Sequence, residues 1–137
     1  MDTRISRRDA VARLGGFVAL AALRPAGLLS AHKPFNHPDP RPGITAANVL
    51  PLEKVAYKKS ARAAYDAARQ FPGIFDGLYC VCDCEKSMGH RSLLSCFESD
   101  QAIGCGSCRE QAILAARLAK AGQTLEQIRA AFDKRWG

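Results

Sequence analysis

Apolar residues recur at helical spacing in three stretches of the chain. In the stretch 52–70, Tyr57, Ala61, Ala64 and Ala68 fall at i, i+4, i+7 and i+11, one narrow stripe that predicts a helix over 53–70. Phe71-Pro72-Gly73 ends it, because the residue before a proline avoids the helical region and glycine permits a turn. Ser107 and Glu110 have the S-x-x-E spacing of a capping box, so a second helix is expected over 107–121, stopped by Gly122. On this reading Ser107 is the cap and Cys108 the first helical residue. Thr124 and Gln127 form another box, and Leu125, Ile128, Phe132 and Trp136 give a last helix over 125–135 its apolar face. The link "AGQT" is short enough to force the last two helices antiparallel. A further short helix is expected near 90–97, in "HRSLLSCF".

The predicted fold is therefore all-α: a small three-helix domain over 53–137, with a cysteine-rich loop and a short connecting helix. Two segments precede it. Residues 32–52 carry Pro34, Pro38, Pro40, Pro42 and Pro51 and read as an extended tether in which His32 and His37 are solvated. Residues 1–31 have a basic start, an apolar run from Leu14 to Leu23 too short for a bilayer, and a small-residue exit at Ala31. That is the pattern of a signal peptide rather than an anchor, so no membrane span is expected in the mature form. Arg7-Arg8, the weakly apolar Gly15-Gly16 and Arg24 favour a twin-arginine leader over an ordinary secretory one, and the segment has no lipid-accepting cysteine. The expected location is the periplasm. Twin-arginine export carries folded proteins, which suits a metal loaded beforehand.

Charge narrows the function classes. Loss of residues 1–31 removes Arg4, Arg7, Arg8, Arg13 and Arg24 with Asp2 and Asp9, and lowers the net charge from +7 to +4. No long basic run survives, so nucleic acid is not an expected partner. No Ser/His/Asp arrangement, phosphate loop or paired-carboxylate motif supports hydrolase or kinase chemistry.

The chemistry lies in the thiols. All six cysteines, Cys80, Cys82, Cys84, Cys96, Cys105 and Cys108, fall in one stretch, with His90 among them. In an extended segment Cys80, Cys82 and Cys84 project to one side; in a curled loop a C-x-C pair binds one metal or bridges two. C-x-C suits a disulfide poorly, because bridged Cα atoms need a particular separation. Cys105 and Cys108 form C-x-x-C at a helix N-terminus, where the dipole stabilises a thiolate for metal binding or disulfide exchange alike. The six cysteines are expected to converge on one metal site with His90 at its edge, the 90–97 helix folding Cys96 back toward Cys108. Met88 is read as filler rather than a thioether ligand, and Asp83 and Glu85 as solvating the loop. Soft thiolates select Cu(I), Zn²⁺ or iron–sulfur clusters. Six cysteines overfill one tetrahedral zinc site, and the spacing matches neither ferredoxin pattern, so Cu(I) is favoured.

Two resemblances bear on this. "CVCDCEKSMGHRSLLSCF" followed by "CGSC" resembles the family of exported bacterial proteins named for a P-C-Y-C-G-C motif, over roughly residues 71–137. Here Tyr79-Cys80-Val81-Cys82-Asp83-Cys84 keeps the three cysteines but not the proline, tyrosine or glycine. That resemblance implies metal binding and no defined activity. "ARLAKAGQTLEQIRAAFDKRWG" is similar to the end of the three-helix thiol-reductase domain of cytochrome c maturation. The functions in view are thus a periplasmic metal-binding protein that handles Cu(I) as chaperone, store or sensor, with another periplasmic metalloprotein as partner; a thiol–disulfide oxidoreductase with Cys105 and Cys108 as catalytic pair; and a disulfide-stapled interaction module.

Overall fold

A computed structural model describes residues 33–137; the expected leader and His32 lie outside the described residues. The fold is helical, with no strand among the described residues. Its helices are α1 (Lys59–Gln70), α2 (Pro72–Asp76), α3 (Cys84–Met88), α4 (Gln101–Gly104), α5 (Gly106–Lys120) and α6 (Leu125–Trp136), with 3₁₀ turns at Ala46–Asn48, Leu52–Lys54 and Leu94–Cys96. None of these helices is long and apolar enough to cross a membrane.

The three longer helices are the expected ones, with changes at their edges. Ala61, Ala64 and Ala68 are fully buried on α1, and Ala112 and Ala115 on α5, so the two helices pack through small side chains. α1 starts at Lys59 rather than residue 53, because the chain first makes a 3₁₀ turn that buries Val55. Tyr57 accordingly leaves the predicted stripe and is 77% exposed, while Tyr65 takes its place in the core. There Tyr65 and Phe75 both meet Phe97 edge to face, at 5.0 and 5.6 Å between ring centroids. Burying a ring such as Phe97 contributes about 1.5–3 kcal/mol. Pro72 ends α1 as expected but also opens α2 at its first turn, where a missing N–H costs nothing.

Gly122, at φ +80°, closes α5 with both bonds of a Schellman motif, Gly122 N–H to Ala119 O and Gln123 N–H to Leu118 O. Thr124 and Gln127 then cap α6 reciprocally. Arg135 near the end of α6 bonds Glu110 near the start of α5 at 2.9 Å, the arrangement expected of antiparallel neighbours.

The segment read as a tether is extended for much of its length, yet it lies on the helices. Val49 is buried, and the Leu50 N–H donates to Phe97 O at 2.9 Å. Arg41 reaches the fully buried Asp76 through its backbone N–H (2.6 Å) and its guanidinium (2.8 Å from Nη2). The same carboxylate accepts from Arg91 Nη1 at 3.0 Å and from Ser92 Oγ at 3.0 Å. Burial alone would raise the Asp76 pKa; the bonds from Arg41 and Ser92 and the charge of Arg41 outweigh it and hold it below the usual range. A Cβ at Gly77, next in the chain, would stand 2.7 Å from Leu125 Cδ2 and 3.0 Å from Pro40 Cγ, so a side chain there requires Leu125 to shift.

His37 is not solvated. Its side chain is 6% exposed, and its Nδ1 accepts the Tyr79 N–H at 3.0 Å. The ring proton therefore sits on Nε2, which donates to Asp133 Oδ1 at 3.3 Å. Phe35 stacks on Tyr79 at 5.2 Å and donates its own N–H to the same Asp133 oxygen at 2.7 Å.

Two stability predictions follow from these contacts. Asp76→Ala strands two guanidinium groups that still reach water, so chemical denaturation is expected to show a loss of about 3 kcal/mol, the low end for breaking a buried pair. The His37 pKa is lowered, by burial first, with Asp133 opposing and Arg129 assisting. A depressed folded-state pKa gives stability that is present above the unfolded value of about 6.5 and lost as pH falls through the folded value. Denaturation midpoints measured down through that range should fall, and His37→Gln should flatten the change; an unaltered profile in the variant would count against this role.

Candidate metal centre

The cysteine loop is closed at its base before any sulfur is placed. Leu93 N–H bonds Leu78 O at 2.7 Å, and Asp76 holds Arg91 and Ser92 on the same side. Between those points the chain curls rather than extending. Asp83 N–H returns to Cys80 O at 3.2 Å, Asp83 takes the left-handed conformation at φ +56°, and α3 begins at Cys84. Cys80 and Cys84 thereby turn inward while Cys82 faces the start of α5. The helix expected near 90–97 is replaced by the 3₁₀ turn Leu94–Cys96, since Leu93, Leu94 and Phe97 are all buried and a single tight turn suffices to place them. That turn carries Cys96 into the cluster, as the connector was expected to do.

α5 opens differently from the sequence reading. Its cap is Cys105, whose Sγ accepts the Cys108 N–H at 3.1 Å, and the helix begins at Gly106, not after Ser107. A sulfur takes the place of the hydroxyl cap because Ser107 instead accepts from Gln111 Nε2 at 3.2 Å.

The six sulfurs meet in two overlapping groups. Cys80, Cys84, Cys96 and Cys108, all buried, have Sγ atoms within 4.8 Å of one another; Cys82, Cys105 and Cys108 form the second such group. Individual separations are 3.6 Å for Cys80–Cys96, 3.9 Å for Cys80–Cys108, 3.5 Å for Cys82–Cys105 and 3.6 Å for Cys82–Cys108. A metal–sulfur bond of about 2.3 Å gives a tetrahedral edge of about 3.8 Å, so these spacings suit thiolates around a metal. Cys105 and Cys108 are joined as a disulfide, and the other four cysteines are free. His90 lies at the edge, its Nδ1 3.2 Å from Cys96 Sγ, and does not join either sulfur group. Met88 ends α3 half exposed, and Glu85 is exposed.

The free thiols share one favourable position for charge. Cys80 is lowered to about 6, chiefly because Cys96 donates its S–H to it, with burial opposing. Cys96 is pushed up by giving that bond and by burial, and Cys84 is pushed up to about 11 by burial and then by the charge on Cys80. Burial raises Cys82 as well. One thiolate therefore suppresses the next, and a cation among the sulfurs would favour further deprotonation.

Gln111 is the residue the sequence reading missed, and Asp83 the one to which it gave too small a part. Gln111 is fully buried on the α5 face that also holds Cys108, Ala112 and Ala115. Its Oε1 accepts the Val81 N–H at 3.0 Å and its Nε2 donates to Cys82 Sγ at 3.5 Å, fixing the loop against the helix. The available signal was a lone amide on an otherwise apolar stripe. Asp83 does more than solvate the loop: its carboxylate accepts from Tyr79 OH at 2.8 Å and Lys86 Nζ at 3.2 Å.

The cysteine pattern decides the relationship to known proteins, since residues 31–137 match the family described as "Protein of unknown function with PCYCGC motif". The chain belongs to the PCYCGC family. No curated protein and no solved structure matches it. The similarity of the last helices to the thiol-reductase domain is carried by none of these comparisons. Set against the PCYCGC motif, Asp83 occupies the glycine position and Tyr79 the proline position. The left-handed backbone at Asp83 explains why glycine suits that place, and the Tyr79–Asp83 bond is what holds an aspartate there instead. Asp83→Gly is therefore expected to leave the loop intact. Asp83→Val, β-branched in a left-handed position, should raise the rate at which Cys80 and Cys84 react with a thiol reagent in the metal-free protein. Equal labelling rates in the two variants would refute this.

Proposed function

We propose that this chain is an exported protein that handles Cu(I) in the periplasm, as chaperone, store or sensor, passing metal to or from another metalloprotein. The carrying observation is the meeting of six sulfurs in two groups with Cys108 common to both. Cu(I) accepts two or three thiolates and tolerates bridging sulfur, whereas zinc takes four ligands at a closed site and would leave Cys82 and Cys105 unused. Burial of four of the sulfurs supports a soft, weakly hydrated ion. The leader pattern with Arg7-Arg8 supports export, and loading before export explains why so many thiols would survive an oxidising compartment.

A second reading has its own observation. The Cys105–Cys108 disulfide, at the start of a helix with Cys82 Sγ 3.5 Å from one sulfur and 3.6 Å from the other, is the arrangement of a redox pair with a third thiol beside it.

Elemental analysis of protein purified from the periplasm without air, with a free-thiol count, tests the first reading. Copper with few free thiols supports it; metal-free protein whose Cys105–Cys108 bond reduces readily overturns it in favour of the second. Cys82→Ser should lower metal content and loosen the Cys82 turn against the start of α5, seen by hydrogen exchange. Gln111→Leu, which removes the support behind Cys82, should weaken Cu(I) binding about 10–100-fold in chelator competition. Under the oxidoreductase reading Cys82→Ser matters little, and Cys108→Ser abolishes dithiol activity.

A further inference from the structure

Resting on the metal-binding reading, we infer that the sulfurs form two unequal metal positions joined at Cys108: an inner one held by Cys80, Cys84 and Cys96, and an outer one held by Cys82 and Cys105, through which metal is exchanged with a thiolate-bearing carrier. The division is one of burial. Cys80, Cys84, Cys96 and Cys108 are 3%, 4%, 0% and 0% exposed. Cys82 and Cys105 reach the surface in part.

Cys108 stands 3.9 Å from Cys80 on one side and 3.6 Å from Cys82 on the other, so one thiolate with several lone pairs is placed to bridge both positions. The protein supports the two sides by different means. The inner sulfurs are fixed by the core: Cys96 lies in the turn between buried Leu94 and Phe97, and Cys80 follows Leu78 and Tyr79. The outer sulfurs are held by polar groups at the start of α5, Gln111 donating to Cys82 and the Cys108 N–H to Cys105, beside their contacts with one another and with Cys108. A site with one buried edge and one open edge loads from the open edge. Cu(I) held by two carrier thiolates passes to Cys82 and Cys105 in turn; each new Cu–S bond on the protein forms as one carrier Cu–S bond breaks, and the thiol proton displaced at each exchange passes to the carrier sulfur that is released. No electron moves in that step. The outer position exists only with Cys105 and Cys108 as thiols, so the disulfide form lacks it.

The test uses the full chain, reduced with a phosphine and kept under argon, and Cu(I) supplied as its acetonitrile complex. Removal by a Cu(I) chelator should proceed in two classes, the faster by about tenfold or more, as solvent access to the site predicts. After one equivalent of Cu(I), iodoacetamide should modify Cys82 and Cys105 in the wild-type chain while Cys80, Cys84, Cys96 and Cys108 are protected; a second equivalent should protect Cys82 and Cys105. Cys82→Ser should lose the fast class alone and Cys84→Ser the slow class alone. Protection of all six sulfurs by the first equivalent, or loss of the same class in both variants, means a single indivisible cluster and overturns the inference while metal binding stands. Failure of the reduced wild-type chain to bind Cu(I) overturns both. Because the footprint needs no substitution, a variant that does not fold leaves the test intact.

Discussion

A carboxylate with no access to water holds this small domain together. Asp76 sits where three parts of the chain must meet: the amino-terminal segment through Arg41, the end of α2, and the return of the cysteine loop through Arg91 and Ser92. A buried charge is tolerated only when its lone pairs are met, and here two guanidinium groups, a hydroxyl and a backbone N–H meet them. The geometry this imposes is local and strict. It fixes Leu78 and Leu93 at bonding distance, and the loop between them then has little freedom in where it delivers Cys80, Cys84 and Cys96. The sulfur arrangement is a downstream effect of an ion pair that touches no sulfur.

Much of this was legible in the sequence, and the reasons for success and failure differ. α5 and α6 were readable because their signals are local: the Thr124–Gln127 capping box, the Gly122 stop and a four-residue stripe each act within a turn or two, although the box expected at Ser107 does not form and Cys105 caps α5 instead. The six cysteines pointed to a common site because their number and closeness had no packing explanation. The beginning of α1 was misread because Tyr57 matches the stripe by spacing, and only the burial of Val55 in the preceding turn decides against it. The proline-rich segment was misread for a related reason. Proline forbids regular structure but does not forbid packing, and the partners of Arg41 and His37 lie far along the chain, beyond what a window of sequence can show. Gln111 was overlooked because a single amide on a helix has no pattern.

The electrostatics of the cluster disfavour more than one thiolate at a time. Four free thiols stand close enough that one can ionise only by discouraging the others, and the polar groups beside them are their own S–H groups, the His90 ring and the Gln111 amide. α5 adds its unpaired N–H groups and its dipole on one side. Neither is enough to carry several thiolates. The chain can therefore satisfy this region in two ways: by placing a cation among the sulfurs, or by removing two thiols as a disulfide. Metal content and redox state are alternative answers to one electrostatic demand.

The contacts of Phe35 and His37 set a limit on how short this protein can be. Both residues lie far outside the span of the cysteines, yet they stack on and bond to Tyr79, the residue before Cys80, and tie it to Asp133 on α6. A protease that trimmed the chain at residue 34 would spare every sulfur and every long helix. One that cut four residues further on would take away the ring over Tyr79 and the acceptor of its N–H. The amino-terminal boundary of the folded domain is thus drawn by a stacking contact rather than by the first helix, and expression boundaries placed at residue 53 would amputate a brace of the cysteine cluster.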